Sequence, residues 1–332
     1  MRQRTMETAR HRTAYLEAGP ADGPLMIFVH GWPERGLVWR RQIEHFAAAG
    51  WRCVAPDMRG YGDSSVPADP AAYALREIVA DMVELHDALG GAPAVWVGHD
   101  WGSPAVWVLA QHHPQRCRGV ANLCVPYLSA GFGLPTLVPL VNRELYPEDE
   151  YPDGQWSYYR FYSLAFDQAT SDFEADVAAS VRMFFRAGDP GLADRPARSA
   201  RVVANGGWFG PAHRAPQVPD EGQLLSRDDL AEVVAGLERN GFRGPNSWYV
   251  NDADNIAYAA AADSELRMPV LFIHAAWDTI SETVNSRLAD PMRADCADLT
   301  EATVRAGHFL MPERPDEVNA ALGTWLAARI TP

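Results

Sequence analysis

The residues best placed to do chemistry form one short run, Gly98-His99-Asp100-Trp101-Gly102. An apolar stretch, Ala94-Val95-Trp96-Val97, precedes it, and Ser103-Pro104 and the run from Ala105 to Ala110 follow. Strand, tight Gly-flanked turn, then helix is the layout of a nucleophile elbow, here with a carboxylate where serine is commonest. Side chains at the flanks of so tight a turn would strike neighbouring backbone, while the apex residue is pushed outward. The helix N-terminus beyond it favours negative charge, so Asp100 is expected to stay ionised and able to attack carbon. The same five residues also suit a plain turn whose Asp caps the next helix. The elbow alone leaves both readings open.

The elements that must position this turn alternate through the first 130 residues, as a parallel sheet with crossover helices requires. Leu25–Val29 and Cys53–Ala55 read as buried strands, with a helix from Trp39 to Ala49 between them that Gly50 ends. Tyr73 to Leu89 puts Ile78, Met82, Leu85 and Leu89 on one helical face, and Val120–Val125 is a further strand. Pro104 suits the start of the helix after the elbow. From Gly131 to Asn255 parallel-strand runs are absent, and helical patterns appear at Phe173–Arg186 and Arg227–Asn240. The strand signal returns at Val270–His274 and Thr303–Arg305, before an amphipathic helix carrying Val318, Leu322, Trp325 and Leu326. An α/β core of residues 1–132 and 256–332, interrupted by a helical lid at 133–255, is therefore expected.

Two more turns follow strands: His30-Gly31-Trp32-Pro33 and Asp57-Met58-Arg59-Gly60-Tyr61-Gly62-Asp63-Ser64. Together with Gly98–Gly102 they resemble the α/β-hydrolase superfamily, specifically the soluble epoxide hydrolases, across almost the whole chain. The resemblance implies an α/β-hydrolase fold, a mostly parallel sheet flanked by helices, with an inserted helical lid. It also implies an oxyanion hole from the backbone N–H groups of Trp32 and Trp101. Such donors suit a tetrahedral oxyanion better than a planar carboxyl. Attack by Asp100 leaves an alkyl ester, so water must be activated against its carbonyl. The family's histidine position falls on His308, in Ala306-Gly307-His308-Phe309, where relatives often carry Trp at the place of Phe309. Its acid falls on Asp278, with Glu282 and Asp263 as alternatives; His99, His112 and His113 read as structural.

A triad alone does not identify the leaving group, because haloalkane dehalogenases share an Asp nucleophile. An epoxide oxygen leaves as an alkoxide and needs a weak acid, which a phenol supplies. The family's two lid tyrosines map to Tyr162, in Phe161–Phe166, and Tyr249, in Phe242–Tyr249; Tyr158 and Tyr159 leave the first register open. A halide prefers N–H donors, and haloalkane dehalogenases often carry Asn where Trp32 stands. Fluoroacetate dehalogenases place Arg where Trp101 stands. The resulting expectation is an epoxide hydrolase in which Asp100 attacks, Tyr162 and Tyr249 protonate the oxygen, and His308 with Asp278 activates water. Trp32, Trp101 and Trp248 are expected to wall the substrate pocket. A catalytically silent binding module is the rival from outside enzymology.

Charge and cysteine usage narrow the partners. With 43 acidic against 29 basic residues the net charge is −14, which repels nucleic acid and anionic membrane and favours a small neutral, apolar epoxide together with water. The four cysteines stand singly, without metal-like spacing, as reduced buried thiols do. No cofactor or metal is expected. The N-terminus lacks the apolar core of a signal peptide and no run is long enough to span a bilayer, so a soluble, cytoplasmic protein is expected. The natural epoxide, its regiochemistry and a homodimeric assembly are left open, the former tied to lid packing and to the loop from Gly206 to Glu221.

Overall fold

A computed structural model describes residues 1–219 and 223–330, so the last part of the Gly206–Glu221 loop lies outside the described residues. Eight strands form one sheet in the order β1-β2-β4-β3-β5-β6-β7-β8. They are β1 Arg2–Glu7, β2 Arg12–Ala18, β3 Leu25–Val29, β4 Arg52–Pro56, β5 Ala94–His99, β6 Cys117–Leu123, β7 Val270–Ala275 and β8 Leu299–Val304. β1 and β2 run antiparallel to each other, and β2 antiparallel to β4; every other pairing is parallel.

The central strands β3, β5 and β7 are buried along their whole length, which is why they read in the sequence as continuous apolar runs. The edges do not. β1 is exposed at five of its six positions and carries Arg2, Arg4 and Glu7, so it has no apolar alternation to betray it. The expected last strand shifts from 303–305 to Leu299–Val304, because Thr300, Glu301 and Thr303 lie on an edge with only Val304 buried. Strand β6 likewise starts three residues earlier than its apolar run and ends before Cys124.

Helices α1 Arg40–Ala48, α2 Leu75–Ala88 and α3 Gly102–His112 make the crossovers, and Pro315–Arg329 closes the chain. Helix α3 is buried at ten of eleven positions, so it sits inside the molecule rather than on its surface. Between β6 and β7 no strand is described; the chain there forms helices, among them Ser157–Leu164, Phe166–Glu174, Val177–Phe184 and Arg227–Asn240. The single helix expected over Phe173–Arg186 is two. Glu174 ends one, and Asp176 starts the next by accepting a hydrogen bond from the Ala179 N–H. This segment docks on the core through polar bonds: Asn255 accepts from Leu75 N at 2.7 Å and Asn251 donates to the Pro70 carbonyl at 2.9 Å. Among the described residues no helix is long and apolar enough to cross a membrane.

Candidate active site

Asp100 stands between β5 and α3 with φ of 49°, a left-handed conformation that a non-glycine residue adopts only when its surroundings impose it. The imposition is steric. A Cβ on Gly102 would lie 2.1 Å from the Val29 carbonyl oxygen, and one on Gly98 would lie 2.2 Å from Asn122 Oδ1. Asp100 is 9% exposed and does not cap α3. Its carboxylate bonds across the fold instead: Oδ1 accepts the Trp32 N–H at 2.6 Å and Oδ2 faces His308 Nε2 at 3.2 Å.

His308 follows β8, and its Nδ1 meets Asp278 Oδ2 at 2.7 Å. Asp278 follows β7, and its other oxygen accepts the Ile280 and Ser281 N–H groups at 2.8 and 3.0 Å. The alternative acids lie elsewhere. Glu282 turns back on the Val284 and Asn285 N–H groups, and the Asp263 side chain is 70% exposed against Arg267. Burial opposes charge on all three triad members, but their mutual pairing outweighs it. Asp100 and Asp278 are held below the ordinary carboxylate range, and His308 well above the ordinary imidazole value by Asp278 and Asp100. The resting site is thus an imidazolium between two carboxylates.

The lid tyrosines separate by geometry. The Tyr159 hydroxyl donates to Asp252, which removes it from Asp100. Tyr162 stacks on Tyr249 with ring centroids 4.5 Å apart and planes 15° apart, and its hydroxyl is fully buried. Tyr158 stands edge-on to both. Burial raises the Tyr162 phenol, the Trp208 indole opposing and the Asp100 charge adding; burial, then Tyr158 and Asp100, raises Tyr249. Both phenols keep their protons throughout the neutral range.

The three tryptophans expected to wall the substrate pocket form a packed cluster. Trp32, Trp101 and Trp248 are at most 6% exposed and pack among themselves and the lid rings: Trp101 lies 5.1 Å from Tyr249 and 5.9 Å from Trp248, and Trp32 4.8 Å from Phe184. The Trp32 indole N–H donates to Asn246 Oδ1 at 3.1 Å. A cavity of about 540 Å³ reaches His308 and Asp278 through walls of other residues. These include Phe184, Gly188, Trp208, Trp277 and Phe309. Phe309, at the place of the family's Trp, stacks on Phe185 at 4.6 Å.

Sequence reasoning missed the role of two residues behind the triad. His99 is fully buried; its Nδ1 pairs with Glu34 at 2.7 Å and its Nε2 lies 2.7 Å from the His308 carbonyl oxygen. Burial pulls this imidazole down, but the Glu34 charge and hydrogen bond, together with Cys124, outweigh it and raise it to about 10. Glu34 also accepts the Gly31 N–H at 2.7 Å, so one ion pair braces the turn bearing Trp32 against the loop bearing His308. The signal was a Glu directly after His-Gly-Trp-Pro and a His directly before Asp100. Among the described residues His99, Cys124 and His308 form the one cluster of metal-ligating type. Each of its four ring nitrogens is already paired, to Glu34, Asp278, Asp100 and the His308 carbonyl.

Residues 24–315 match the family described as alpha/beta hydrolase fold. Epoxide hydrolase A of Mycobacterium tuberculosis is 34% identical over 331 residues, 96% of this chain and 95% of that protein. Bifunctional epoxide hydrolase 2 of Sus scrofa is 30% identical over 95% of this chain, which spans only about half of it (53%). The crystal structure of epoxide hydrolase A from Mycobacterium thermoresistibile superposes with a TM-score of 0.80 at 30% identity, covering 99% of this chain and 98% of that one. An epoxide hydrolase from an endophytic Streptomyces also gives 0.80, at 31% identity over 98% and 95%.

Proposed function

Since the chain belongs to the epoxide hydrolases of the α/β-hydrolase fold, we propose that it converts an epoxide to a vicinal diol through a covalent ester on Asp100. The observation that carries the reading is the buried Asp100 carboxylate in hydrogen-bonding contact with His308, with two stacked, protonated phenols exposed to its charge.

Oδ1 of Asp100 is held by the Trp32 N–H, so Oδ2 is the attacking atom. It displaces the ring oxygen while Tyr162 and Tyr249 donate to the departing alkoxide, which takes one proton. Alkylation removes the Asp100 charge, one of the two anions that keep the proton on His308. The imidazolium then gives up its proton, which restores the tyrosinate left by ring opening to a phenol, and the neutral imidazole, oriented by Asp278, becomes a competent base. Water, deprotonated by His308, adds to the ester carbonyl. The negative charge collects on Oδ1, beside the Trp32 N–H and that of Trp101, which makes no hydrogen bond to the resting carboxylate. Collapse frees the diol and restores Asp100. Residues 133–255 serve as the lid that supplies the tyrosines.

The occupied Trp32 indole argues against halide as the leaving group, because that N–H is already spent on Asn246. The assembled triad argues against a silent binding module. Incubation with a styrene-oxide-type epoxide and, separately, a bromoalkane tests the reading. Diol from the epoxide and no bromide is expected; bromide without diol would overturn it.

A further inference from the structure

Glu313 has no place in the chemistry above, yet it holds two distant pieces of backbone at once. A single oxygen, Oε2, accepts the Gly307 N–H at 2.9 Å and the Gly188 N–H at 3.1 Å. Gly307 precedes His308, whereas Gly188 belongs to the segment that follows the helix Val177–Phe184 between β6 and β7. The two glycines touch backbone to backbone. A Cβ on Gly188 would lie 2.3 Å from Gly307 N, and one on Gly307 would lie 2.6 Å from Gly188 Cα. Three residues before Gly188 and two after Gly307, the same segments are stacked through Phe185 and Phe309, 4.6 Å apart. Residues Ala187, Gly188 and Asp189 also line the cavity that reaches His308. Among the described residues no cation pairs with Glu313, so its bonds to the two N–H groups are the polar contacts it makes.

We propose that Glu313 is a positioning residue, a latch that seats the 185–189 strap on the His308 loop and so sets the imidazole to activate the water that hydrolyses the ester. The inference rests on the two-step reading above. His308 is held by Asp278 and Asp100 on its ring, by the His99 ring and the Cys124 thiol on its carbonyl, and by Glu313 on the N–H of the residue before it. Only the last also depends on the strap being down. Asp100, Trp32 and the tyrosines make no contact with Glu313, so the latch acts on ester hydrolysis and leaves alkylation alone.

The test is rapid-quench kinetics on Glu313→Ala and Glu313→Gln with a styrene-oxide-type epoxide, following the protein-bound ester by intact mass. A displacement of about 1 Å at a reacting group costs one to two orders of magnitude, so Glu313→Ala should lower ester hydrolysis and kcat by about tenfold. Its alkylation rate should match the wild type, and the ester should accumulate. Glutamine keeps an oxygen that accepts both N–H groups, so Glu313→Gln should recover most of the loss. A lowered Tm with unchanged kcat, or alkylation slowing in step with hydrolysis, overturns the proposal. His308→Gln, run in parallel, checks the underlying reading and should stall at the ester. If no ester forms there, the two-step reading fails. The latch is then judged on kcat alone: a tenfold loss in Glu313→Ala restored by Glu313→Gln supports it, and no loss refutes it.

Discussion

Replacing Asp278 by Asn should split the two half-reactions. In the native site Asp278 Oδ1 is fixed by the Ile280 and Ser281 N–H groups while Oδ2 takes the His308 Nδ1 proton at 2.7 Å. Asparagine has one carbonyl oxygen, and the two backbone donors claim it. Its NH₂ then faces Nδ1, which must accept, so the imidazole proton moves to Nε2 and the lone pair needed for water is lost. The charge is lost as well. Two unit charges about 4 Å apart interact by about 4 kcal/mol at an effective dielectric constant of about 20. At about 1.4 kcal/mol per decade, that is about 10³ in the rate of a step that builds an imidazolium. The wrong tautomer alone costs about 10⁴ in comparable triads, so ester hydrolysis should fall by about 10³ to 10⁴. Alkylation needs only ionised Asp100, and should stay within about threefold of the wild type, since Nε2–H still donates to Oδ2. Single-turnover quenching with intact-mass detection reads both rates. The reasoning is refuted if alkylation and hydrolysis fall together, or if no ester accumulates.

Three further outcomes follow from the same geometry. Tyr249→Phe should slow alkylation by about 10²-fold with ester hydrolysis unchanged, read in the same quench experiment; equal slowing of both steps would contradict its role as proton donor. The alkylation rate should be flat across neutral pH, because Asp100 ionises below its ordinary 3.8 and Tyr249 stays protonated above 10.0. kcat, in contrast, should fall on acidification, because hydrolysis needs neutral His308 and the esterified site no longer has Asp100 to hold the proton; an acid limb shared by both rates would contradict this. Gly102→Ala, whose Cβ would press on the Val29 carbonyl, should cost about 3 kcal/mol of stability in urea unfolding, and a loss under about 1 kcal/mol would show the elbow to be less confined.

The legible parts of this chain were those in which one physical demand dominates. Strands buried on both faces, such as β3 and β7, announce themselves by apolar runs, and the elbow by glycines that steric contact makes obligatory. Edge strands were hidden because they face water: β1, exposed at five of six positions, and the start of β8 carry no apolar run for periodicity to find. In the segment between β6 and β7, three adjacent tyrosines offered themselves, and only packing distinguishes Tyr159, spent on Asp252, from Tyr162, stacked on Tyr249. The braces behind the triad were least legible. Glu34, His99 and Glu313 act through bonds to backbone N–H and C=O groups far away in sequence, which no local spacing encodes.

The central claim is that Asp100 bonds to substrate carbon, and isotope labelling tests it most directly. In a single turnover in heavy-oxygen water with enzyme in excess, the first diol should carry ordinary oxygen, taken from Asp100. One heavy oxygen should then be found in the peptide containing Asp100. Label in the first-turnover diol, with the Asp100 peptide unlabelled, would mean that water attacks the epoxide directly, and the account would be wrong.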